Sequence, residues 1–390
     1  MSPTTSVLDR IQSRSLLAGV AALAVCAWGA FSNPQQFYQS YLMSFLFWSG
    51  ITLGCLAVLM LHHLVGGGWG VLIRRMLEAG TRTLPLIALL LVPILFAIPQ
   101  LFPWARPEEV ARDPLLQRKA AYLNVPFFLI RTAICFLIWA ILTYFLNRWS
   151  TEQDRTGAHL PARRMSKLSG PGLVLYVLTV TFFSMDWVIS LEPDWFSTIY
   201  SALFIVGQVL ATLALVIAML GLLATRTSLA EVLSSRYLRD LGNLLLAFVV
   251  LWAYMSFSQF LIMWTGNLTD EIPWYLRRIR NGWEWVAGFL IVFHFAVPFL
   301  LLLFREVKHR IVALSTLAAV LLVVRLVSLY WMVEPAFRNA GPRFQWLDWV
   351  TPIGMGGLWM AFFVWQLKRH PLLPVHDPNL REVLQNAGAA

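Results

Sequence analysis

Long apolar stretches recur along the whole chain and are separated by short segments that hold most of the charged residues. Each stretch is about 20 residues long, which is the length that an α-helix needs to cross the hydrocarbon core of a membrane. Lipid offers the backbone no hydrogen-bond partners, so we expect helices, and the sequence lacks the alternating pattern of membrane barrel strands. Ten spans are predicted, at residues 16–32, 41–64, 83–102, 122–146, 171–191, 196–224, 241–264, 284–304, 311–333 and 347–367.

The composition fits a multi-pass membrane protein. The chain has 390 residues, of which 58% are hydrophobic and 13% are charged, and its mean hydropathy is +0.67. Soluble domains carry about 25% charged residues. We therefore expect one all-α membrane domain over residues 1–390, with a short polar segment at residues 1–15 and a polar tail at residues 368–390.

Membrane topology explains the excess of basic residues. The net charge is +10, and of the 30 lysine and arginine residues 19 fall on the side that carries both predicted termini and nine fall on the other side. Basic residues accumulate in cytoplasmic loops, so both termini are predicted to be cytoplasmic. The basic surface then favours anionic lipid rather than nucleic acid as its partner. The remaining two cations, Arg131 and Arg325, fall within predicted spans.

The first span has two interpretations. Arg10 and Arg14 precede a modest apolar stretch, and the small residues at 27–30 would suit cleavage of a signal peptide. Cleavage would leave nine spans, whereas retention gives ten. The sequence leaves this choice open.

The turn between the fifth and sixth spans holds acids but no base. No lysine, arginine or histidine occurs between Lys167 and Arg226, whereas Asp186, Glu192 and Asp194 all fall in this interval. An acid in such surroundings must find a cation in space, meet water or hold a proton. Asp186 lies about one turn inside the predicted span. The other two acids are expected to be solvated in the turn, where they would favour the start of the sixth helix.

Buried charges are expected in the outer half of the membrane. Arg131, Arg325 and Asp186 are predicted to lie at similar depths, and Glu334 lies near the outer end of the ninth span. A charge at the centre of a span costs at least about 2.5–3.5 kcal/mol, so these groups are expected to have partners. Such pairs have two interpretations, which are a structural ion pair and a site that handles protons or a quinol.

The chain lacks the residue spacing of a metal or haem site. Cys26, Cys55 and Cys135 lie on three different spans, which excludes an iron–sulfur cluster or a zinc site built from this chain alone. Only one histidine, His294, is expected in the middle of a span, whereas a membrane haem usually needs two axial ligands at matched depth. The glycine-rich segment 66–70 lacks the lysine and hydroxyl of a phosphate-binding loop. We therefore expect no cofactor in this chain.

Two segments of the chain resemble a known family. The first comprises residues 181–187, Thr-Phe-Phe-Ser-Met-Asp-Trp, and residues 196–200, Phe-Ser-Thr-Ile-Tyr. The second is Ser-Gln-Phe-Leu-Ile-Met-Trp-Thr-Gly-Asn-Leu-Thr-Asp-Glu-Ile-Pro-Trp-Tyr at 258–275, followed by Arg-Arg at 277–278 and Gly-Trp at 282–283. Together they are similar to the NrfD-like family of polysulfide-reductase membrane subunits, and within it to the non-redox member found in alternative complex III. The likeness covers essentially the whole chain, including the number of spans.

The resemblance implies an architecture and a set of partners. Members have two antiparallel four-helix bundles and two further, peripheral helices. They assemble with a multi-haem cytochrome c subunit, an iron–sulfur subunit, a paralogous ten-helix subunit that oxidises quinol, and small membrane subunits. The resemblance therefore implies haem c and iron–sulfur clusters in partner subunits, quinol as the substrate of the complex, and no redox centre in this chain.

The resemblance also implies a route for protons. Asp186 becomes the candidate relay, and Tyr254, Ser256, Gln259 and His294 are the residues that would extend the path inward. His294 is equally interpretable as a core histidine whose hydrogen bonds are satisfied. The cytoplasmic half is expected to hold no buried carboxylate. Its part of the path would therefore need water, hydroxyl groups or the two histidines at the inner end of the second span.

The sequence thus predicts an integral membrane subunit of a respiratory quinol:cytochrome c (or other acceptor) oxidoreductase in the bacterial cytoplasmic membrane. The subunit would support assembly and, in the sharper hypothesis, proton translocation coupled to quinol oxidation. Two alternatives remain open, which are a quinol-binding membrane subunit of a related oxidoreductase and an independent secondary transporter. A transporter built from repeats predicts broken spans at matching places in two halves, and Pro298 and Pro352 do not match convincingly.

Overall fold

The protein folds as an all-α membrane protein. This computed structural model contains no β-strand in the part of the chain that it describes. Within that part, ten helical spans are long and apolar enough to cross a membrane, which confirms the predicted class and number. The structure describes residues 3–224, 233–269, 271–338, 340–374, 376–377 and 380.

The α-helices of the described residues are numbered in chain order. They are α1 (Pro3–Ser32), α2 (Pro34–Val65), α3 (Gly68–Thr81), α4 (Leu84–Leu95), α5 (Ile98–Leu101), α6 (Pro107–Arg112), α7 (Pro114–Lys119), α8 (Val125–Thr156), α9 (Leu160–Trp187), α10 (Thr198–Ala224), α11 (Ser235–Gly266), α12 (Ile272–Arg278), α13 (Trp283–Leu290), α14 (Val297–Leu303), α15 (Arg305–His309), α16 (Ile311–Val333) and α17 (Leu347–Leu367). The third span consists of α3 with α4, and the eighth consists of α13 and α14 joined by a π-helical turn.

The membrane helices form two groups that meet through α2 and α10. In the first group, α2 packs against α3, α4 and α9, and α8 packs against α9. In the second group, α10 packs against α11 and α16, and these contact the broken helix formed by α13 and α14. The pair α1 and α17 lies outside both groups and packs against α2. This arrangement agrees with the expected two four-helix bundles and two peripheral helices.

The third span differs from its prediction at residues 83–102. A separate and almost fully buried helix, α3, precedes the short helix α4. Only 12 residues long, α4 ends early because Pro93 lies in its last turn and removes a backbone donor. Helix α3 carries Arg74 and Arg75, which were expected in a polar segment between spans. These two cations are therefore part of the protein interior.

The glycine-rich segment between α2 and α3 has two structural uses. Gly66 and Gly67 have φ angles of 72° and 95°, a region that residues with a side chain rarely adopt, so they form the turn. Gly70 lies inside α3 directly against α2, where an added Cβ atom would come within 1.9 Å of Nδ1 of His62. The turn and the close approach together allow α3 to fold back along α2.

The eighth span is broken by a π-helical turn at Ile291–Ala296. Pro298 follows this turn and cannot donate a backbone hydrogen bond, which accounts for a local change of helical pitch. The turn places His294 in the protein interior with 0% of its surface exposed. π-Helical turns are frequent at functional sites, so this segment is a candidate functional region.

Replacement of Gly357 by alanine is expected to separate α1 from α17. A Cβ atom on Gly357 would lie 2.4 Å from Cα of Gly19 and 2.5 Å from the carbonyl oxygen of Ser15, both of them rigid backbone atoms. Small residues allow such close helix contacts in membranes, and overpacking costs about 1–3 kcal/mol. Unfolding by sodium dodecyl sulfate in mixed micelles measures the loss. Gly288→Ala is the matched control because nothing lies within 4 Å of its added Cβ atom, and an equal loss in both variants would refute the close contact.

Candidate functional site

Arg131 and Asp186 form a buried ion pair at one end of the first bundle. Nε and Nη2 of Arg131 donate to Oδ2 and Oδ1 of Asp186 at 2.8 and 2.9 Å, the two-pronged geometry of a strong pair. Nη1 donates to the carbonyl oxygen of Tyr122, whose ring centre lies 3.8 Å from the guanidinium carbon. Burial and, after it, the charge of Asp186 raise the pKa of Tyr122 above its ordinary value. The pairing of Arg131 with Asp186 that depth predicted is therefore present.

Glu192 is buried, so the prediction that it is solvated is wrong. It is 7% exposed, and its two oxygens accept hydrogen bonds from Arg277 and Arg278 at 2.7 and 2.6 Å. The guanidinium of Arg278 also lies over the ring of Trp274, 3.7 Å from its centre. These cations are 85 and 86 residues further along the chain, so no local pattern indicates the pair. Asp194 is exposed, as predicted.

Arg325 is buried, but it pairs with no acid among the described residues, which corrects the prediction that it does. Its guanidinium donates to the backbone carbonyl of Gly207 at 3.2 Å and to the hydroxyl of Ser328 at 2.7 Å. Glycine at 207 leaves room for this guanidinium, because a Cβ atom there would lie 2.2 Å from Nη2 of Arg325. Backbone and hydroxyl acceptors therefore replace the expected carboxylate.

A third cluster of charges lies at the end of α16. Arg338 donates to the carboxylate of Asp348 at 2.8 and 2.9 Å, and Ser40 of α2 donates to the same carboxylate at 2.6 Å. Nε of Arg338 lies 2.9 Å from Oε2 of the fully buried Glu334, at an angle that makes no hydrogen bond. Burial lowers the pKa of Arg338, but the hydrogen bonds to Asp348 and the charge of Glu334 outweigh burial and raise it. Glu334 thus has a charge partner, as predicted.

The residues that were predicted to extend a path from Asp186 lie in the second bundle. Tyr254 is 64% exposed on α11, Ser256 is half-buried, and Gln259 is buried. Among the described residues neither ring nitrogen of His294 has a hydrogen-bond partner, which contradicts its interpretation as a satisfied core histidine. Among the described residues, no hydrogen bond joins any of these four side chains to Asp186. The structure therefore does not bring the predicted path together by direct contact.

A cavity of about 730 Å³ opens between α11, α12, α13 and α16. It is lined mainly by aliphatic and aromatic side chains, and its buried polar residues include Gln259 and Ser328, each 1% exposed. Both amide atoms of Gln259, the hydroxyl of Ser256 and Nε1 of Trp252 are buried without a hydrogen-bond partner in the described part of the chain. The ring of Trp252 lies 3.8 Å from that of His294, centre to centre. No sequence signal predicts this cavity, because apolar spans look alike whether or not they pack closely.

A further buried charge cluster, which sequence reasoning missed, surrounds α3. Glu78 accepts hydrogen bonds from Arg74 at 2.8 Å, Arg75 at 2.7 Å and Ser150 at 2.6 Å. Arg75 also donates to both carboxylate oxygens of Asp154 at 2.5 and 2.6 Å. Glu78 is 2% exposed, so the expectation that this half lacks a buried carboxylate is wrong. Arg131 and Ser150 are 19 residues apart on α8, which places the two charge sites about 28 Å apart.

The C-terminal segment completes this cluster. Oδ2 of Asp377 accepts a hydrogen bond from Arg74 at 2.6 Å and lies 4.0 Å from Nε2 of His62. Gln153 accepts from Arg74 at 2.9 Å and donates to a backbone carbonyl of the tail at 3.1 Å. The described part of the predicted polar tail is thus docked against the bundle. The α3 cluster is defined as Arg74, Arg75, Glu78, Ser150, Gln153, Asp154 and Asp377.

Pairs of hydrogen-bonding side chains lie in the first bundle between the α3 cluster and the Arg131–Asp186 pair. The hydroxyls of Thr52 and Thr83 lie 2.8 Å apart, and either can donate to the other. Further along, the hydroxyl of Tyr176 donates to the amide oxygen of Gln208 at 2.7 Å, and the amide nitrogen of Gln208 has no partner. Such groups both donate and accept hydrogen bonds, which a proton relay requires. Among the described residues they form separate pairs rather than a continuous chain.

The described residues contain no group of three or more His, Cys, Asp or Glu side chains placed to hold a metal ion. The three cysteines are free and buried on separate helices. A scan against protein-family models finds no match for the chain, and a search of curated proteins finds none. The fold class is therefore established by the structure, whereas the family rests on the sequence resemblance.

Proposed function

We propose that this chain is a membrane subunit of a respiratory quinol oxidoreductase that handles protons rather than electrons. Support comes from the resemblance of residues 181–200 and 258–283 to the non-redox, NrfD-like member of alternative complex III, and from the ten-span fold. Its partners would be a multi-haem cytochrome c subunit, an iron–sulfur subunit and a paralogous quinol-oxidising subunit, which carry the redox centres. On this proposal the chain lies in the bacterial cytoplasmic membrane, with both termini and the α3 cluster on the cytoplasmic side.

The observation that carries this proposal is the burial of ionisable groups near both ends of one bundle. Asp186 marks one end and Glu78 the other, and each is at least 98% buried. Charges within a membrane are expensive and tend to mark ion or proton pathways. The hydroxyls of Thr52, Thr83 and Tyr176 lie between the two ends. Water molecules between these pairs would join them into a route.

Membership of a complex has a direct test. The full chain, carrying an affinity tag and purified from its native membrane, is expected to bring along subunits that show haem c absorbance and an iron–sulfur electron paramagnetic resonance signal. Recovery of the chain alone, active in substrate uptake after reconstitution, would instead establish the transporter alternative.

Replacement of Asp186 by asparagine is expected to lower the number of protons translocated per electron while quinol oxidation continues. Asparagine keeps a hydrogen-bond acceptor for Arg131 but cannot take up a proton at neutral pH. The complex reconstituted in vesicles reports the ratio through a pH-sensitive dye and the reduction of its acceptor. Asp186→Glu, which restores a carboxylate, is expected to recover part of the ratio.

The matched control for this experiment is Asp194→Asn. Asp194 lies in the same hairpin but is exposed, so its replacement is expected to leave the ratio unchanged. An unaltered ratio in a fully assembled Asp186→Asn complex would remove Asp186 from the route. An equal fall in both variants would attribute the effect to the charge of the hairpin rather than to the buried pair.

A further inference from the structure

The cavity beside α11 has the dimensions of a small-molecule site. Its volume of about 730 Å³ lies within the range of roughly 300–1,000 Å³ that is typical of ligand pockets. It lies in the second bundle, apart from the Arg131–Asp186 pair in the first. Exposed side chains such as Tyr254 and Phe257 line part of it, so it opens toward the surface that faces lipid.

Polar atoms in this cavity lack partners. Gln259 is 1% exposed, and neither its amide oxygen nor its amide nitrogen makes a hydrogen bond to any residue that the structure describes. The hydroxyl of Ser256, one turn earlier on α11, is also buried without a partner. Each unmade hydrogen bond of this kind carries a cost in stability. A ligand that both donates and accepts hydrogen bonds would recover that cost.

The lining also restricts the charge and shape of a ligand. None of the described lining residues is an acid, a lysine or an arginine, so a charged head group would have no counter-ion. Rings of Trp252, Tyr275 and Trp331 form part of the wall, and aromatic walls favour a flat ring by stacking. The aliphatic remainder suits an apolar tail.

We infer that this cavity binds an uncharged amphiphile whose flat, hydrogen-bonding head contacts Gln259 and whose apolar tail extends into the membrane. Gln259 offers one acceptor and two donors, and Ser256 adds a hydroxyl, so the head can carry carbonyl or hydroxyl oxygens. The inference extends the proposed function by giving this chain a ligand of its own. The inference is argued from the cavity of this chain. Ligand binding can therefore be measured on the chain without partner subunits.

Photolabelling tests the inference. The probe is an azido-benzoquinone with a ten-carbon tail, applied to the full chain in detergent, and the labelled peptides are identified by mass spectrometry. Labelling is expected in α11 and α16, and an excess of decylubiquinone is expected to abolish it. Phosphatidylglycerol at the same excess is expected to leave labelling unchanged, because its phosphate is charged.

Gln259→Leu is expected to reduce specific labelling about tenfold, which corresponds to the loss of one or two hydrogen bonds. Because Gln259 makes no hydrogen bond to the described residues, the variant is expected to unfold no more easily than the wild type. Ala287→Phe is also expected to reduce specific labelling, because the larger side chain would fill the cavity. Ala319→Phe is its matched control, since Ala319 is exposed on α16 and does not line the cavity.

Unchanged labelling in both Gln259→Leu and Ala287→Phe would overturn the inference. Equal competition by phosphatidylglycerol would also overturn it, because the site would then be a general lipid groove. These labelling results do not depend on whether the chain belongs to a redox complex. If the chain binds the probe but is purified without redox partners, the proposed function fails and the ligand site stands.

Discussion

Glu78→Ala is expected to lower the free energy of unfolding by about 3–5 kcal/mol, because it breaks a buried ion-pair network. Glu78 is the shared acceptor of Arg74, Arg75 and Ser150, at distances of 2.6–2.8 Å. Both arginines are at most 3% exposed, so water cannot replace the lost acceptor. Each donor that is left unsatisfied in the interior costs about 1–3 kcal/mol. The C-terminal segment, which is held through Arg74 and Asp377, is expected to loosen as well.

Unfolding by sodium dodecyl sulfate in mixed micelles measures this loss, and limited proteolysis reports release of the C-terminal segment. The matched control is Glu152→Ala. Glu152 lies 3.8 Å from Arg164, but both side chains are more than 40% exposed, so that pair contributes at most about 1 kcal/mol. If both variants lose the same stability, the α3 cluster is not the buried network that the distances indicate.

The membrane spans were predictable because lipid imposes a strong constraint on the sequence. A span needs about 20 mostly apolar residues, and each of the ten spans contains a predominantly apolar window of 18 residues. The third span shows where the constraint stops. Its second half is a 12-residue helix, and the rest of its length is α3, a helix that is buried by protein rather than by lipid. Burial of that kind depends on neighbours that no single segment reveals.

The α3 cluster was visible in the sequence only as a spacing. Arg74, Arg75 and Glu78 lie three and four residues apart, which places them on one side of a helix. The same arginines also satisfy the positive-inside rule, so membrane topology alone was enough to explain their presence. Their other partners, Asp154 and Asp377, are 79 and 303 residues away. Contacts over such separations cannot be assigned from one sequence.

Depth along a span predicted one buried pair correctly and another incorrectly. Asp186 meets Arg131 as expected, because both face the contact between α8 and α9. Arg325 has a similar depth but faces α10, where the carbonyl of Gly207 accepts a hydrogen bond from it. Depth gives only one coordinate, and the direction of a side chain around its helix decides which acceptor it reaches. The burial of Glu192 by Arg278 has the same explanation.

Arg131→Met is expected to lower the free energy of unfolding by about 3–5 kcal/mol, because it leaves the carboxylate of Asp186 buried without its cation. The double variant Arg131→Met/Asp186→Leu is expected to recover most of that loss. Well-packed hydrophobic replacements of a buried ion pair are often neutral or stabilising. The unfolding free energies of Arg131→Met, Asp186→Leu and the double variant complete a double-mutant cycle. A double variant no more stable than Arg131→Met would show that the carboxylate was not the source of the loss.

The double variant also separates a structural role of the pair from a role in proton transfer. If the pair only holds α8 against α9, the refolded double variant keeps the wild-type number of protons per electron in the assembled complex. The proposed function predicts a lower ratio, because leucine cannot carry a proton whatever the stability of the fold. Arg106→Met/Glu109→Leu is the matched control. That pair is about 40% exposed, so its removal is expected to change neither stability nor the ratio.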